Sequence, residues 1–283
     1  MAETPSASIV IPTQRRADYL AVTLASVAPQ AAQLKAETIV ALDGGDVATA
    51  EVAARHGARL VTLPAPRGAN AARNAGIAAA SAPLIVLIDD DIAAPPGWLG
   101  AMLSGVDADP DHEVFGGPIR ARLEGGGPRS CGREAAPITT LDLGPEDQDT
   151  TFVWSANMAL RRSAYDRVGP FDETIHGRGE EEDWEQRYRA AGGRIRYLAG
   201  AGVEHRRTAS DSSVRALAQA SYRLGRTARR HDRRKGVAPP LRGEIRTLAG
   251  CAWHTARRRC ANGIVMGAQA AGRLREALAE RRR

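Results

Sequence analysis

The chain is poor in several residues that mark whole classes of protein. Only three of its 283 residues are cysteine (Cys131, Cys251 and Cys260), widely spaced, odd in number and in no metal-ligand pattern, which implies a reducing compartment. Aromatic residues make up 4%, too few to expect a stacking platform for single-stranded nucleic acid. No window approaches ~18 uninterrupted apolar residues, so no transmembrane helix is expected. The opening MAETPSASIVIPT lacks a basic region followed by a long apolar segment, so no secretory signal is expected and a cytoplasmic location is implied. Lysine is nearly absent. Arginine supplies 37 of the 39 basic residues, a bias that points to a GC-rich genome and weakens any special meaning of arginine here.

What is present suits a globular protein: 43% hydrophobic and 25% charged residues allow a sizeable core. The net charge of +6 hides an asymmetry. Residues 1–205 carry nine net negative charges and residues 206–283 fifteen net positive ones, an acidic body with a basic tail.

Over the first hundred residues, short apolar runs alternate with helix-compatible stretches. ASIVIP, ETIVALD, ARLVTLP and LIVLID read as strands; YLAVTLASVAPQ, VATAEVAARHG and GANAARNAGIAAAS read as helices. Continuous apolar runs, rather than alternation, imply strands buried on both faces, hence a mostly parallel α/β sheet. In such sheets ligands collect at the C-terminal strand ends, where Pro12-Thr13, Asp43-Gly44-Gly45 and Asp89 to Asp91 fall. Beyond Trp98, EVFGGPIRARL reads as one strand, EGGGPRSCGREAAP as a mobile Gly-rich loop and residues 141–150 as an acidic connector. FVWSANMALRRSAYDRVG reads as strand, turn and short helix, EEEDWEQRYRAAGG as a helix with a Gly stop, and RIRYLAG as a strand. The tail reads as helical, with Val214, Leu217, Ser221 and Leu224 on one face.

Three clusters could carry chemistry. LIVLIDDDIAAPPGW ends a buried strand in three carboxylates. Asp89 and Asp91 are aimed to one side, as a hard-oxygen site for Mg²⁺ or Mn²⁺ requires; an ordinary helix cap explains one Asp, not three. Glu180 to Asp183 open a helix, where the dipole relieves some of their charge, and a carboxylate fixed there could serve as general base. His205, just past a strand, could ligate a metal through a neutral imidazole nitrogen, although a lone His is more often packed or solvated.

Together these segments resemble the family 2 glycosyltransferases. The matching stretches, in the family's order, are SIVIPTQRRADYL, IVALDGG, RGANAARNAGIAAA, LIVLIDDDIAAPPGWL, WSANMALRRSAYDRVGPFDE, EEEDWEQRYRAAGGRIRY and VEH, covering roughly residues 8–205. The resemblance implies the GT-A fold: a Rossmann-like nucleotide-binding half (about 1–100), an acceptor-binding half (about 101–205) and a mostly parallel central sheet, with residues 206–283 as a helical basic C-terminal extension. It implies a nucleotide-sugar donor (UDP-, GDP- or TDP-sugar) and a divalent cation, Mg²⁺ or Mn²⁺. Pro12, Thr13 and Arg15 would line the nucleotide pocket, Asp43 would meet the base, and Arg73 and Asn74 would belong to the donor-contacting helix. Asp89 and Asp91 stand at the DxD motif, Asp91 as the more direct metal ligand with His205, and Asp90 near ribose or sugar. Asn157 and Met158 would lie near acceptor and donor sugar, beside Glu182, and Asp183 would be the base, which implies an inverting transfer. The second strand ends LDGG where many members carry two Asp and a Ser, leaving the nucleotide base open. The absence of a QxxRW stretch favours single transfer over processive synthesis.

The acceptor is open, a lipid-linked compound or a small metabolite. The tail could be a solvated extension, could pack its arginines on the acidic body, or could contact the inner membrane face; nucleic acid is the least expected partner. Competing readings are a haloacid-dehalogenase-like phosphatase, a sugar nucleotidylyltransferase, and a non-catalytic nucleic-acid-binding protein. The first lacks its usual Gly and Thr or Val after the aspartates, and the second its Gly-rich N-terminal loop.

Overall fold

In the computed structural model, residues 4–132 and 138–281 are described. The opening three residues, residues 133–137 at the end of the Gly-rich stretch and the last two arginines lie outside the described residues.

The first half alternates as its apolar periodicity predicts: β1 (Ser8–Thr13), α1 (Ala17–Gln33), β2 (Glu37–Leu42), α2 (Val47–Arg55), β3 (Arg59–Thr62), α3 (Ala69–Ala79) and β4 (Leu84–Ile88). β1 and β4 are buried along their whole length, and each fully buried aliphatic side chain contributes about 1.5–3 kcal/mol. α1 runs three residues past the expected stretch and through Pro29, which lacks the N–H of one helical bond. α2 is capped by Asp46, whose carboxylate accepts the Thr49 N–H at 3.0 Å.

There follow β5 (Ile92–Ala93), α4 (Trp98–Ala108), β6 (Val114–Gly116), β7 (Ile119–Leu123), a 3₁₀ turn at Glu124–Gly126, β8 (Gln148–Thr150), β9 (Asn157–Arg161), α5 (Arg162–Val168), α6 (Glu180–Ala190), β10 (Ile195–Tyr197) and β11 (Val203–Arg207). Two expectations are corrected here. EVFGGPIRARL is two strands, because Gly117-Pro118 breaks the run and Pro118 has no N–H for a ladder. The acidic connector contains a strand, β8, whose Gln148–Thr150 pairs antiparallel with β10.

The main sheet has the order β3-β2-β1-β4-β9-β6-β10-β8, and β5-β11-β7 form a second, small sheet. β1 pairs parallel with both β2 and β4, β2 with β3, and β6 with β10; β9 runs antiparallel between β4 and β6. The chain leaves β1 toward β2 on one side and returns to its other side as β4. In α/β sheets such a reversal marks the crevice where ligands bind, here the C-terminal ends of β1 and β4.

By internal contacts the chain divides into two units: Met1–Ala121, Thr140–Ile175 and Glu180–His205 form one, and Arg122–Thr139, His176–Gly179 and Arg206–Arg283 the other. The second unit contains α7 (Val214–Arg234), α8 (Leu241–Arg258) and α9 (Asn262–Glu280). The buried face of α7 is offset from the expected one: Leu217, Ser221, Gly225 and Ala228 are buried, and Leu224 is exposed. The offset follows from packing, since a Cβ on Gly225 would lie 2.0 Å from the Gln269 carbonyl oxygen and one on Gly272 2.1 Å from that of Tyr222. Only glycine lets α7 and α9 approach so closely. Part of the arginine excess is neutralised within this unit. Arg229 bonds Glu244 and Glu280, Arg273 bonds Glu244 and Asp232, and Arg226 bonds Glu276. None of the described helices is long and apolar enough to cross a membrane.

α3 packs closely on β1, where a Cβ on Gly76 would lie 2.3 Å from Val10 Cγ1. Val10 is fully buried and cannot yield. Gly76→Ala is therefore expected to cost about 1–3 kcal/mol through overpacking, measured by urea unfolding; an unchanged midpoint would show that the helix can lift freely.

Candidate active site at the strand ends

Three like charges end β4, and each has a different environment. Asp90 is 3% exposed. Its carboxylate accepts the Thr13 hydroxyl at 2.7 Å and an Arg16 N–H at 2.5 Å, both from just beyond or at the end of β1. Burial pushes the Asp90 carboxyl up to about 7 against the pull of Arg16, and Asp91 adds to the rise. Asp91, also buried, is bonded by the second Arg16 nitrogen at 2.9 Å and faces His205 Nε2 at 3.2 Å. Asp89 is a third exposed and lies 3.4 Å from Arg73. Burial opposes the Arg16 charge, yet Asp90 and Asp91 hold its pKa above the ordinary value. Its guanidinium also lies 4.2 Å from the Tyr19 ring centroid. The Thr23 hydroxyl of α1 bonds the Asp90 and Ile92 carbonyls at 2.7 and 2.8 Å, pinning the turn.

His205 arrives by strand pairing. β11 runs antiparallel to β5, and His205 stands opposite Ile92, the residue after the acidic triplet. The fold thus brings Asp91 and His205 together across 114 positions of sequence. Asp89 does not share one coordination sphere with them among the described residues; its carboxylate is turned to Arg73. The Asp91 Oδ1 to His205 Nε2 separation is 3.2 Å, slightly longer than the edge of about 2.9 Å that ligands at 2.0–2.1 Å span on an octahedral cation. A carboxylate oxygen with an imidazole nitrogen is a donor pair that a divalent cation accepts.

Other expected residues are placed more variously. Asp43 is buried at the end of β2, and its oxygens accept the Arg67 and Gly68 N–H groups at 2.6 and 2.9 Å and the Gln14 amide at 3.1 Å. It thereby anchors the entry to α3. Pro12 is buried, and Arg15 is exposed in a left-handed conformation (φ +50°) that turns the chain after β1. Arg73 is buried and bonds Asn70 and Glu180 at 3.0 Å each. Asn74 binds the Phe171 backbone in both directions, the Glu173 carboxylate and the Tyr165 hydroxyl, so it ties α3 to the 165–173 segment. The Asn157 side chain is spent on holding strands together: its amide donates to the Pro118 and Ala201 carbonyls and its oxygen accepts from Trp98. Met158 is in the core. Both are fully buried on β9.

Asp183 and Glu182 lie in the first turn of α6. Asp183 is 36% exposed and held by Arg187 at 2.9 Å, one helical turn on; Arg187 in turn grips the Val168 and Pro170 carbonyls at 2.8 Å. Glu182 accepts the Gln186 amide at 3.4 Å. Burial raises the Glu181 pKa, with Arg73 opposing.

Two residues of consequence escaped the sequence reading. Arg16 looked like one more arginine in an arginine-rich chain, although it follows β1 by only three residues. Glu185 looked like one more acid at a solvated helix start, yet residues 181, 184, 185 and 188 follow one helical face, on which Trp184 and Tyr188 are buried. Its Oε1 accepts the Val153 N–H at 2.8 Å and burial pushes its pKa up to about 9.

The same architecture occurs in solved glycosyltransferases of the GT-A class. A mannosyltransferase, PcManGT, from Pyrobaculum calidifontis, in complex with GDP-Man and Mn²⁺, superposes with TM-score 0.59 at 16% identity, covering 98% of this chain and 74% of that one. GalNAc-T7 with UDP, GalNAc and Mn²⁺ superposes with TM-score 0.58 at 12% identity, covering 92% and 55%. The sequence pattern described as Glycosyl transferase family 2 matches residues 8–169, and the chain belongs to that family. It is 31% identical over 208 residues to the pre-mycofactocin glycosyltransferase of Mycobacterium tuberculosis, covering 70% of this chain and 42% of the relative. It is 29% identical over 209 residues to the validoxylamine A glucosyltransferase of Streptomyces hygroscopicus subsp. jinggangensis, covering 63% and 50%. The chain thus spans about half the length of the curated relatives it matches.

Glu185 gives a pH-dependent test. Unfolded, it releases its proton near 4.5; folded, it holds the proton to about 9. Between those values the folded state binds a proton the unfolded chain has lost, so this group's contribution to stability falls as pH rises from 4.5 to 9. Glu185→Gln keeps the acceptor for Val153 and has no proton to lose. The variant is expected to exceed the natural chain in stability by about 1–3 kcal/mol at pH 8 and to match it near pH 5, by urea unfolding. A gap independent of pH would contradict the assignment.

Proposed function

We propose that the chain is a divalent-metal-dependent glycosyltransferase that moves a sugar from a nucleoside-diphosphate donor to an acceptor hydroxyl, with inversion at the anomeric carbon. One observation carries this reading: an acidic triplet at the crevice between β1 and β4, with Arg16 and Thr13 on one side and His205 drawn against Asp91 on the other. The names of the sequence relatives, a glycosyltransferase and a glucosyltransferase, support sugar transfer. The nucleotides in the two structural neighbours, GDP-Man and UDP, support a nucleoside-diphosphate donor. The competing phosphatase, nucleotidylyltransferase and nucleic-acid readings gain no such support.

In this mechanism Pro12, Thr13 and Arg15 border the nucleotide, and Asp43 faces its base from the end of β2. Asp89 and Asp90 face ribose and sugar, and Arg73 steadies Asp89 and Glu180 under the donor. Asp91 and His205 would hold Mg²⁺ or Mn²⁺, and Asp89 would join them only by turning from Arg73; such an ion, when bound, supplies positive charge where the departing diphosphate gathers negative charge. Arg16 keeps Asp90 and Asp91 in place. Asp183, fixed by Arg187 and open to solvent, accepts the proton of the acceptor hydroxyl as that oxygen attacks in line. Glu182 stands next to it on the acceptor side. Asn157, Met158 and Asn74 position the strands and helix that carry these groups.

The test is a panel of UDP-, GDP- and TDP-sugars, each with Mn²⁺ and with Mg²⁺, scored for transfer and for donor hydrolysis. Turnover of one nucleotide class is expected, and no turnover across the panel would overturn the reading. Asp183→Asn is expected to lower the rate of transfer about 10²–10⁴-fold while leaving donor affinity in place. Full transfer by that variant would remove Asp183 from the base's role.

A further inference from the structure

Cys131 and Cys260 stand 129 positions apart, so no spacing in the sequence suggests a shared purpose. The fold corrects that. Their sulfur atoms and a ring nitrogen of His254 all lie within 4.8 Å of one another, and no other group of three or more His, Cys, Asp or Glu ligand atoms gathers so closely among the described residues. Cys131 Sγ lies 3.5 Å from His254 Nε2.

The cluster is built on the α8–α9 corner inside the second unit. α8 ends at Arg258, Arg259 turns the chain in a left-handed conformation (φ +48°), and α9 begins at Asn262. This short turn sets Cys260, buried at the corner, against His254 in the last turns of α8. Gly263 is required there, because a Cβ would fall 2.4 Å from Thr255 Oγ1 and 3.1 Å from His254 Cδ2. The segment bearing Cys131 is docked on the same corner: the Arg129 carbonyl accepts the Asn262 N–H at 3.2 Å and lies 3.7 Å from Cys260 Sγ. Cys251, on the same helix as His254, is not part of the group.

We propose that Cys131, His254 and Cys260 form a Cys₂His site for zinc(II), separate from the carboxylate site, with the fourth position filled by water or an exogenous ligand. The dimensions agree. Zn–S bonds near 2.3 Å and Zn–N bonds near 2.0–2.1 Å in a tetrahedron separate sulfur and nitrogen by about 3.5–3.6 Å, and the Cys131–His254 separation is 3.5 Å. The chemistry agrees as well: two thiolates and an imidazole suit Zn²⁺ and disfavour the Mg²⁺ or Mn²⁺ that oxygen donors prefer. A disulfide would link the two sulfurs and give the nearby imidazole no part. Bound zinc would fasten the segment around Arg129–Cys131 to the α8–α9 corner.

The experiment uses the full chain, reduced and stripped with a chelator, titrated with Co²⁺ and then Zn²⁺. The natural chain is expected to develop visible tetrahedral d–d bands and a near-ultraviolet thiolate-to-cobalt band, both bleached by Zn²⁺. Co²⁺ held by carboxylates gives no thiolate band, so the two metal sites are distinguishable and the result is independent of transferase activity. Cys131→Ser and His254→Ala are expected to weaken zinc binding more than the ~10–100-fold typical of outer-shell changes, and Cys251→Ser to leave it unchanged. Circular dichroism checks that each variant is folded; Cys131, exposed, is the safest substitution. The proposal is overturned if the natural chain gives no thiolate band, if the band keeps its full intensity and cobalt affinity in Cys131→Ser, or if the reduced chain ignores metal and only forms a Cys131–Cys260 disulfide on oxidation.

Discussion

The arrangement at the end of β4 depends on one electrostatic constraint: two adjacent carboxylates, Asp90 and Asp91, are buried, and buried carboxylates must be paired. Arg16 bonds both, Thr13 bonds Asp90, and His205 faces Asp91. Those partners come from two separate parts of the chain, the end of β1 and β11, so the topology is what satisfies the charge. The order β3-β2-β1-β4 makes the end of β1 the neighbour of the end of β4. The short β5–β11 ladder then closes the other side, with His205 in register with Ile92. Removing one partner from such a group leaves an uncompensated buried charge, the costly case among ion pairs.

The same constraint separates the residues that hold the site from those free to act. Thr23, Asn74 and Asn157 have their hydrogen-bonding groups directed into backbone and side-chain partners, and they fix the turn, α3 and β9. Asp89 and Asp183 keep about a third of their side-chain surface open. Each is steadied by an arginine that is itself anchored elsewhere, Arg73 by Asn70 and Glu180 and Arg187 by two backbone carbonyls. A carboxylate that is accessible yet oriented is what a donor contact or a general base needs, because the geometry is in place before the substrate arrives.

Much of this was legible in the sequence, and what was hidden has physical reasons. β1, β2 and β4 follow from continuous apolar runs, α6 from its acidic start and Gly stop, and the acidic strand end from LIVLIDDD. The division of EVFGGPIRARL at Gly117-Pro118 was signalled by the proline, but the run of apolar residues around it outweighed that signal. β8 was hidden because QDT has no apolar pattern; it forms by pairing with β10 at the sheet edge. Arg16 and Glu185 were masked by composition, one arginine among 37 and one acid just after a run of four. The roles of Asn157 and Met158 as supports depend on side-chain direction in the folded sheet, which a motif does not carry. The cysteine and histidine cluster depends on contacts between positions 131 and 260, beyond the reach of any local pattern.

Asp91 is the residue on which the proposed metal site, the proposed nucleotide pocket and the buried charge pair converge. The most direct test of that convergence is calorimetric titration of UDP and GDP into the chain with and without Mn²⁺, repeated with Asp91→Asn. One of the two nucleotides is expected to bind in the presence of the ion and at least about tenfold more weakly both in its absence and in the variant. Equal affinity with and without Mn²⁺, or affinity untouched by Asp91→Asn, would contradict the assignment of the β1–β4 crevice as a metal-assisted nucleotide site.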